Sequence, residues 1–169
     1  MAFDTFLFLE GIDGESTAKI ENPPLPSKPF EIFSWSFGAS NPSTVGSGKG
    51  GLSAGKVSIS TFNVMKKTED ASAQLFLNSC TGQHIAKGCI IMRKATGKDN
   101  KQATFLQYDF EEVMVDSIQW SGSAGGDDTP SESVSFAFAK VSIQNWLQGK
   151  DGKMAKGAGA TWDLTKVTQ

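Results

Sequence analysis

The 169 residues predict a mainly β fold with a single α-helix, on three observations. Along most of the chain apolar residues recur at every second position, and clusters of Gly, Pro, Asn and Ser separate the runs, the pattern of half-buried strands joined by turns. The plainest run is Glu31 to Gly38, in which Phe33, Trp35 and Phe37 alternate with Ser34, Ser36 and Gly38. Its aromatic face must bury in a core, while its other face is small, hydroxylated and able to line a wet cavity. Only one stretch, after Lys66 and Lys67, carries both the start and the stop signals of a helix.

The elements follow in order. Phe6, Leu7, Phe8 and Leu9 form a first strand ended by Gly11-Ile12-Asp13-Gly14. Asn22 to Pro29 contains four prolines, which donate nothing to a ladder, so it is an irregular connector. The aromatic strand begins near Phe30. Asn41 to Ala54 is rich in Gly and Ser without an apolar period and reads as a long loop, a length that in a compact domain usually has a job. Val57, Ile59 and Thr61 then alternate with Ser58, Ser60 and Phe62 in a strand that ends near Lys66-Lys67. In the helix Thr68 or Asp70 is the cap, Leu75 and Phe76 face inward, and Gly82 is the terminator.

Ile85 to Ala95 and Thr104 to Trp120 read as further strands. In the second, the apolar parity moves from Leu106, Tyr108 and Phe110 to Val113 and Val115, then back to Ile118 and Trp120, and each change marks a turn or bulge. Gly122 to Thr129 is a second polar loop, and Val134, Phe136 and Phe138 alternate with Ser135, Ala137 and Ala139 before Val141 and Ile143. From Gly149 to Gly159 the chain is rich in Lys, Gly and Ala, the composition of a mobile tail, with Trp162 and Leu164 able to dock a last short strand. The chain thus divides into a β domain over residues 1–148 and a Gly/Lys-rich tail over residues 149–169.

Length and charge narrow the function. One domain of this size buries roughly two thirds of its unfolded surface, and a second would be starved of core. The formal net charge is -2, from 16 Lys and Arg against 18 Asp and Glu, so no strong field draws nucleic acid. The apolar start from Met1 to Glu10 has no basic region, no cleavage site and too short a run for a signal peptide or membrane span, which implies cytosolic synthesis without membrane insertion. Cys80 and Cys89 have neither metal-ligand nor scaffold spacing and read as reduced packing residues.

The motifs that suggest chemistry fail on context. Gly46-Ser47-Gly48-Lys49-Gly50-Gly51 has dinucleotide-loop spacing, but no strand leads into it and a strand follows where a helix must face the phosphate. In the phosphate-loop pattern from Gly50 to Lys56, Val57 stands where a hydroxyl should meet magnesium. His84 is the only histidine, so any Ser-His-Asp or Cys-His arrangement must use it, and Cys80 is close enough in sequence for a thiolate pair; a strand-edge histidine beside a buried cysteine is the simpler reading. Asp127-Asp128 and Asp13 with Glu15 lack the alternating ligands of a calcium loop. Lys66-Lys67 and Lys49 read as solvated faces, and Trp35 and Trp120, which could stack on sugars or bases, read as core. The expectation is no catalytic residue, no cofactor and no metal.

With the pieces placed, the chain resembles the haemolysin-coregulated protein (Hcp) family, the tube component of bacterial type VI secretion. The likeness runs in order through Gly14-Glu15-Ser16, Phe33-Ser34-Trp35-Ser36-Phe37-Gly38, a Gly-rich loop leading to Gly55-Lys56-Val57, Lys66-Lys67 and Asp70-Ala71-Ser72. It continues through Cys80-Thr81-Gly82-Gln83-His84, Arg93-Lys94-Ala95 and Glu132-Ser133-Val134-Ser135-Phe136. The chain departs from the pattern at Ala73, where a proline commonly follows the serine, and in the Pro-rich segment. The resemblance implies a compact β-barrel of two sheets with one helix, a homo-hexameric ring, and rings stacked into a tube. It implies partners: small effector proteins held in the ring, and the spike and sheath components of the machine. It also implies secretion from the bacterial cytoplasm without a cleavable signal. On that reading Ser34 and Ser36 face the lumen and its cargo, and Gly46, Gly48, Gly50, Gly51 and Leu52 form a ring-assembly loop. The alternatives from other classes are a stand-alone sugar- or peptide-binding β-module and a hydrolase using Cys80 and His84.

Overall fold

The structure is a computed structural model that describes residues 3–45, 51–96, 101–126 and 128–166. Strand β1 (Asp4–Leu9) is buried on both faces, because Leu7 and Leu9 enter the main core while Phe6 and Phe8 join Cys89 and Ile91 in a second apolar cluster. Ala18, Ile20 and Leu25 cover that second cluster, so the Pro-rich connector, irregular as expected, still packs onto the sheet.

The aromatic run is not one strand. It divides into β2 (Phe30–Ile32), paired with β1, and β3 (Ser34–Ser36), paired with a strand further along the chain. Phe30 and Ile32 are buried, and Trp35 and Phe37, on the opposite parity, pack against the same core. Phe33 absorbs the one-residue slip as the chain passes from one sheet edge to the other, so it is 54 % exposed rather than buried with Trp35 and Phe37 as expected.

The described parts of the stretch expected as a loop from Asn41 to Ala54, residues 41–45 and 51–54, lie in a two-stranded ribbon. Its pairs are β4 (Ala39–Ser40) with β7 (Ser58–Ile59) and β5 (Ser43–Val45) with β6 (Leu52–Ala54). Gly55 ties the ribbon together, donating its N–H to the Pro42 carbonyl at 2.8 Å, where an added Cβ would sit 2.6 Å from that oxygen. Ser60 splits the next expected strand: its Oγ accepts from the Gly38 N–H at 3.0 Å and donates to the Thr61 carbonyl at 3.1 Å. Strand β8 (Phe62–Lys67) therefore starts afresh with Phe62 fully buried, although the alternation had set it opposite Val57 and Ile59. Trp35, Phe37, Tyr108 and Phe110 surround Phe62 at ring-centre distances of 5.0 to 5.7 Å.

Helix α1 (Ser72–Thr81) ends at Gly82, as expected, with φ at 67° in the left-handed region that glycine tolerates. Neither Thr68 nor Asp70 caps its start; the N-cap is Ala71, without a side-chain cap. Leu75 is buried but Phe76 is half-exposed against Trp120, because successive helical residues sit about 100° apart and cannot share one narrow inward face. Trp120, expected in the core, is exposed with it.

The remaining strands are β9 (His84–Ala95), β10 (Gln102–Ser121), β11 (Ser131–Ala137), β12 (Lys140–Gln148) and β13 (Met154–Asp163). The first parity change in β10 falls at Glu112, with φ at 53°, and the second at a bulge between Val115 and Ser117. Where the composition reads as a mobile tail, β13 is a ten-residue strand bonded along β12. Gly and Ala give it no apolar period, but a ladder needs only backbone groups. Nine strands form one sheet in the order β2-β1-β9-β10-β11-β8-β3, with β12 and β13 branching from β10. The expected closed barrel of two sheets is corrected: β2 and β3 are the two ends of that path, joined through Phe33 but by no ladder between them.

Candidate functional site

One surface stands out by composition. On β3, Trp35 packs on the core, so Ser34 and Ser36 project the other way and are exposed. Their register partners on β8 are Met65 and Asn63, whose neighbours Phe62, Val64 and Lys66 are buried. The next strand continues the face, since Asn63 pairs with Ser135 and Met65 with Ser133, and those pair with Ser117 and Gln119 of β10. Four strands thus present Ser34, Ser36, Asn63, Ser117, Gln119 and Ser133, with Met65 among them and Ser135 buried beneath; Lys67 continues the same face at the end of β8, and Asp116 is exposed at the bulge beside Ser117. Ser135 Oγ donates to Asn63 Oδ1 within the face. Sequence reasoning named Ser34 and Ser36; Asn63, Met65, Ser133 and Ser135 were legible as every second residue of Asn63-Val64-Met65 and Ser133-Val134-Ser135, while Ser117 and Gln119 lie beyond the bulge after Val115.

At one end of these strands lies a second feature that the sequence concealed. Lys66, read as solvated, is 0 % exposed, and its register partner Glu132 is 1 % exposed. Lys66 Nζ lies 2.6 Å from Glu132 Oε1 and 2.8 Å from Glu69 Oε1, donates to Ser72 Oγ at 3.3 Å and to the Lys67 carbonyl at 3.1 Å, and sits 5.1 Å from the centre of the Phe30 ring. Ser72 Oγ donates to Glu132 at 2.9 Å and accepts from the Glu69 N–H at 3.0 Å. Glu69 Oε2 accepts from the Glu15 N–H at 2.8 Å, and Glu15 Oε1 accepts from the Asp70 N–H at 3.2 Å. The signal was phase: Lys66 and Glu132 fall in step with the core residues Val64 and Val134. The effect is a fixed rim, where two strand ends, the helix entry and the loop after β1 are held by one cation.

Other expected residues stand apart. Of the assembly loop, Gly51 and Leu52 are exposed near the ribbon tip, and Gly46, Gly48 and Gly50 lie outside the described residues. Cys80 is exposed rather than packed. His84 is exposed too and faces Glu112 across 3.6 Å. Cys89 is buried, and burial, reinforced by the neighbouring Asp109 carboxylate, pushes its thiol far above the ordinary range. Among the described residues no group of three His, Cys, Asp or Glu is placed to hold a metal ion, and no helix is long and apolar enough to cross a membrane.

A family model described as "Type VI secretion system effector, Hcp" matches residues 6–145. The chain belongs to the Hcp family of type VI secretion proteins. It is 30 % identical over 172 residues to protein hcp1 of Pseudomonas aeruginosa, across 100 % of this chain and 99 % of that protein. A solved structure described as a type six secretion system protein superposes with a TM-score of 0.87 at 33 % identity, covering 99 % of both chains. Hcp1 from Salmonella typhimurium superposes with a TM-score of 0.76 at 29 % identity, over 98 % of this chain and 97 % of that one. The family is one of structural secretion proteins, not of enzymes, which bears out the resemblance read from the sequence.

Proposed function

We propose that the chain is the subunit of a hexameric ring that stacks into the tube of a type VI apparatus, with the face of β3, β8, β11 and β10 turned to the lumen, where it carries small effector proteins. The observation that carries this reading is the hydroxyl- and amide-rich surface spread over four adjacent strands. Hydroxyl and amide contacts contribute only about 0.5–1.5 kcal/mol each, so cargo can be held and released. Open edges favour lateral association: among the described residues β3 pairs only with β8, and β13 only with β12. In this reading the ring meets spike and sheath components of the machine and leaves the bacterial cytoplasm through it.

Native mass spectrometry at micromolar concentration is expected to give a hexamer, and a monomer alone would sink the proposal. Ser36→Gln is expected to leave the hexamer mass and the unfolding midpoint unchanged while lowering effector co-purification. Trp35→Ala, which removes a ring 5.7 Å from Phe62 and 5.5 Å from Tyr108, should instead destabilise the subunit, by about 3 kcal/mol. If Ser36→Gln breaks the ring, or leaves every co-expressed effector bound as before, the lumen assignment is wrong.

A further inference from the structure

We infer that the cleft where the segment between β1 and β2 meets the end of β9 and the start of β10 is a binding site for a phosphoryl dianion, held by Arg93, Lys19 and Lys101. It is independent of the tube reading above: the cleft lies beside Gln102, whereas the hydroxyl-rich face uses the far part of β10 from Ser117 onward.

The fold places three cations here and leaves them without partners. Lys19 is exposed, and its neighbours Ala18 and Ile20 pack on the second apolar cluster, which fixes the backbone beneath it. Arg93 stands on β9 in step with Cys89 and Ile91 of that cluster, so it continues the same face past its apolar part. The arginine is half-buried, and its Nη2 donates to the Gln102 carbonyl at 2.9 Å, which sets the guanidinium plane without neutralising it. One of five N–H donors is spent in this way, and the others remain for the cleft. The carboxylate in register with Arg93, Asp4 of β1, accepts instead from the Gln102 side-chain amide. Among the described residues Arg93, Lys19 and Lys101 make no ion pair, although Lys66, Lys140 and Lys166 each lie within 3.7 Å of a carboxylate.

Charge and size select the ligand. The three cations line the cleft with Glu21 as the one acid, which leaves two positive charges in excess in a chain whose formal net charge is -2. A phosphoryl group carries a charge of about −1.5 to −2 at pH 7 and three strong acceptor oxygens, so it cancels that excess, whereas a carboxylate supplies one charge only. The planar fork of an arginine makes two parallel N–H···O bonds to such a group, and the lysines add point charges on either side. At about 270 Å³ the cleft falls below the roughly 300–1,000 Å³ of pockets that enclose whole organic ligands, so it suits one functional group with the rest of any ester left in solvent.

The test is calorimetric titration of the full chain, in whatever assembly it adopts, in low-salt buffer free of phosphate, because exposed charges are screened by salt. Inorganic phosphate and glycerol phosphate are the two probes. Binding of both identifies a phosphomonoester as a ligand, and binding of inorganic phosphate alone identifies the free ion; either supports the site, and binding of neither at millimolar concentration overturns it. Acetate should bind at least about tenfold more weakly than phosphate, and equal binding overturns the dianion assignment. Arg93→Met should weaken phosphate binding at least about tenfold through loss of a charge-assisted pair, while Glu21→Gln should tighten it about threefold by removing the opposing charge. An Arg93→Met variant that binds within twofold of the parent, or a Glu21→Gln variant that binds no tighter, overturns the proposal. Should Arg93→Met lower the unfolding midpoint through the lost Gln102 bond, the double variant of Lys19→Met with Lys101→Met, whose side chains make no described hydrogen bond, must by itself lose about tenfold in affinity, and unchanged affinity overturns the site.

Discussion

The buried Lys66 cluster makes the sharpest demand on stability. Removing Glu132 by Glu132→Ala leaves a lysine that is 0 % exposed with Glu69 as its remaining carboxylate, 2.8 Å away. Truncating one partner of a buried pair costs about 3–5 kcal/mol, because the other charge stays desolvated. Glu69 keeps the loss at the lower end, about 3 kcal/mol, which for a chain of this length is a fall of roughly 10 °C in unfolding midpoint. Replacing both members, as Lys66→Met with Glu132→Leu, removes the desolvation as well as the attraction and should return stability to within about 1 kcal/mol of the parent. Urea titration of tryptophan fluorescence, at one protein concentration because assembly stabilises by mass action, compares the parent, the single variant and the double variant. If Glu132→Ala costs less than about 1 kcal/mol, the pair is hydrated and the reasoning is wrong. A double variant no better than the single would instead assign the stability to the Ser72 hydroxyl and Lys67 carbonyl, not to charge pairing.

Two further outcomes are expected. Gly14→Ala should lower stability by more than about 2 kcal/mol in the same titration, since its Cβ would lie 2.3 Å from the Pro29 carbonyl oxygen and the neighbouring Glu15 and Ser16 contacts would shift with it; an unchanged midpoint refutes that packing. A maleimide should label Cys80 alone in the folded protein and both thiols in denaturant. Because burial raises the Cys89 thiol above its unfolded value of 9.0, the unfolded chain holds fewer protons above that pH, and stability should fall there by about 1.4 kcal/mol per pH unit from this group. Cys89→Ala should flatten that fall, and an unaltered slope would count against it.

The sequence made the long strands legible because their burial is one-sided. In β10 even the parity changes were readable, since Tyr108 and Phe110 give way to Val113 and Val115 around Glu112, where φ is 53°. What escaped was structure made without side-chain period. The ribbon and β13 are rich in Gly, Ala, Ser and Thr, which give no apolar period, and their ladders are made chiefly by backbone groups. Phe33 escaped for the opposite reason: local alternation assigned it to the core, and a change of sheet edge, which only tertiary structure reveals, turned it outward. In the hydroxyl face, Ser34 and Ser36 were legible because strong aromatics flank them, while Ser117 lay hidden behind the bulge after Val115.

The same contrast explains why ordered fragments identified the family better than any one motif. Gly14-Glu15-Ser16, Lys66-Lys67, Asp70-Ala71-Ser72 and Glu132-Ser133 are unremarkable as isolated sequences. In the fold they meet: the Glu15 and Asp70 backbone N–H groups exchange bonds with the Glu69 and Glu15 carboxylates, and Lys66 joins Glu69, Ser72 and Glu132. A cation with no exposed surface needs carboxylate and hydroxyl partners such as Glu132, Glu69 and Ser72, because an unpaired ammonium in the core is costly. Segments up to 117 positions apart, from Glu15 to Glu132, are thus bound to one charge. Four of the fragments read in order along the chain are thus the projection of one buried site onto the sequence.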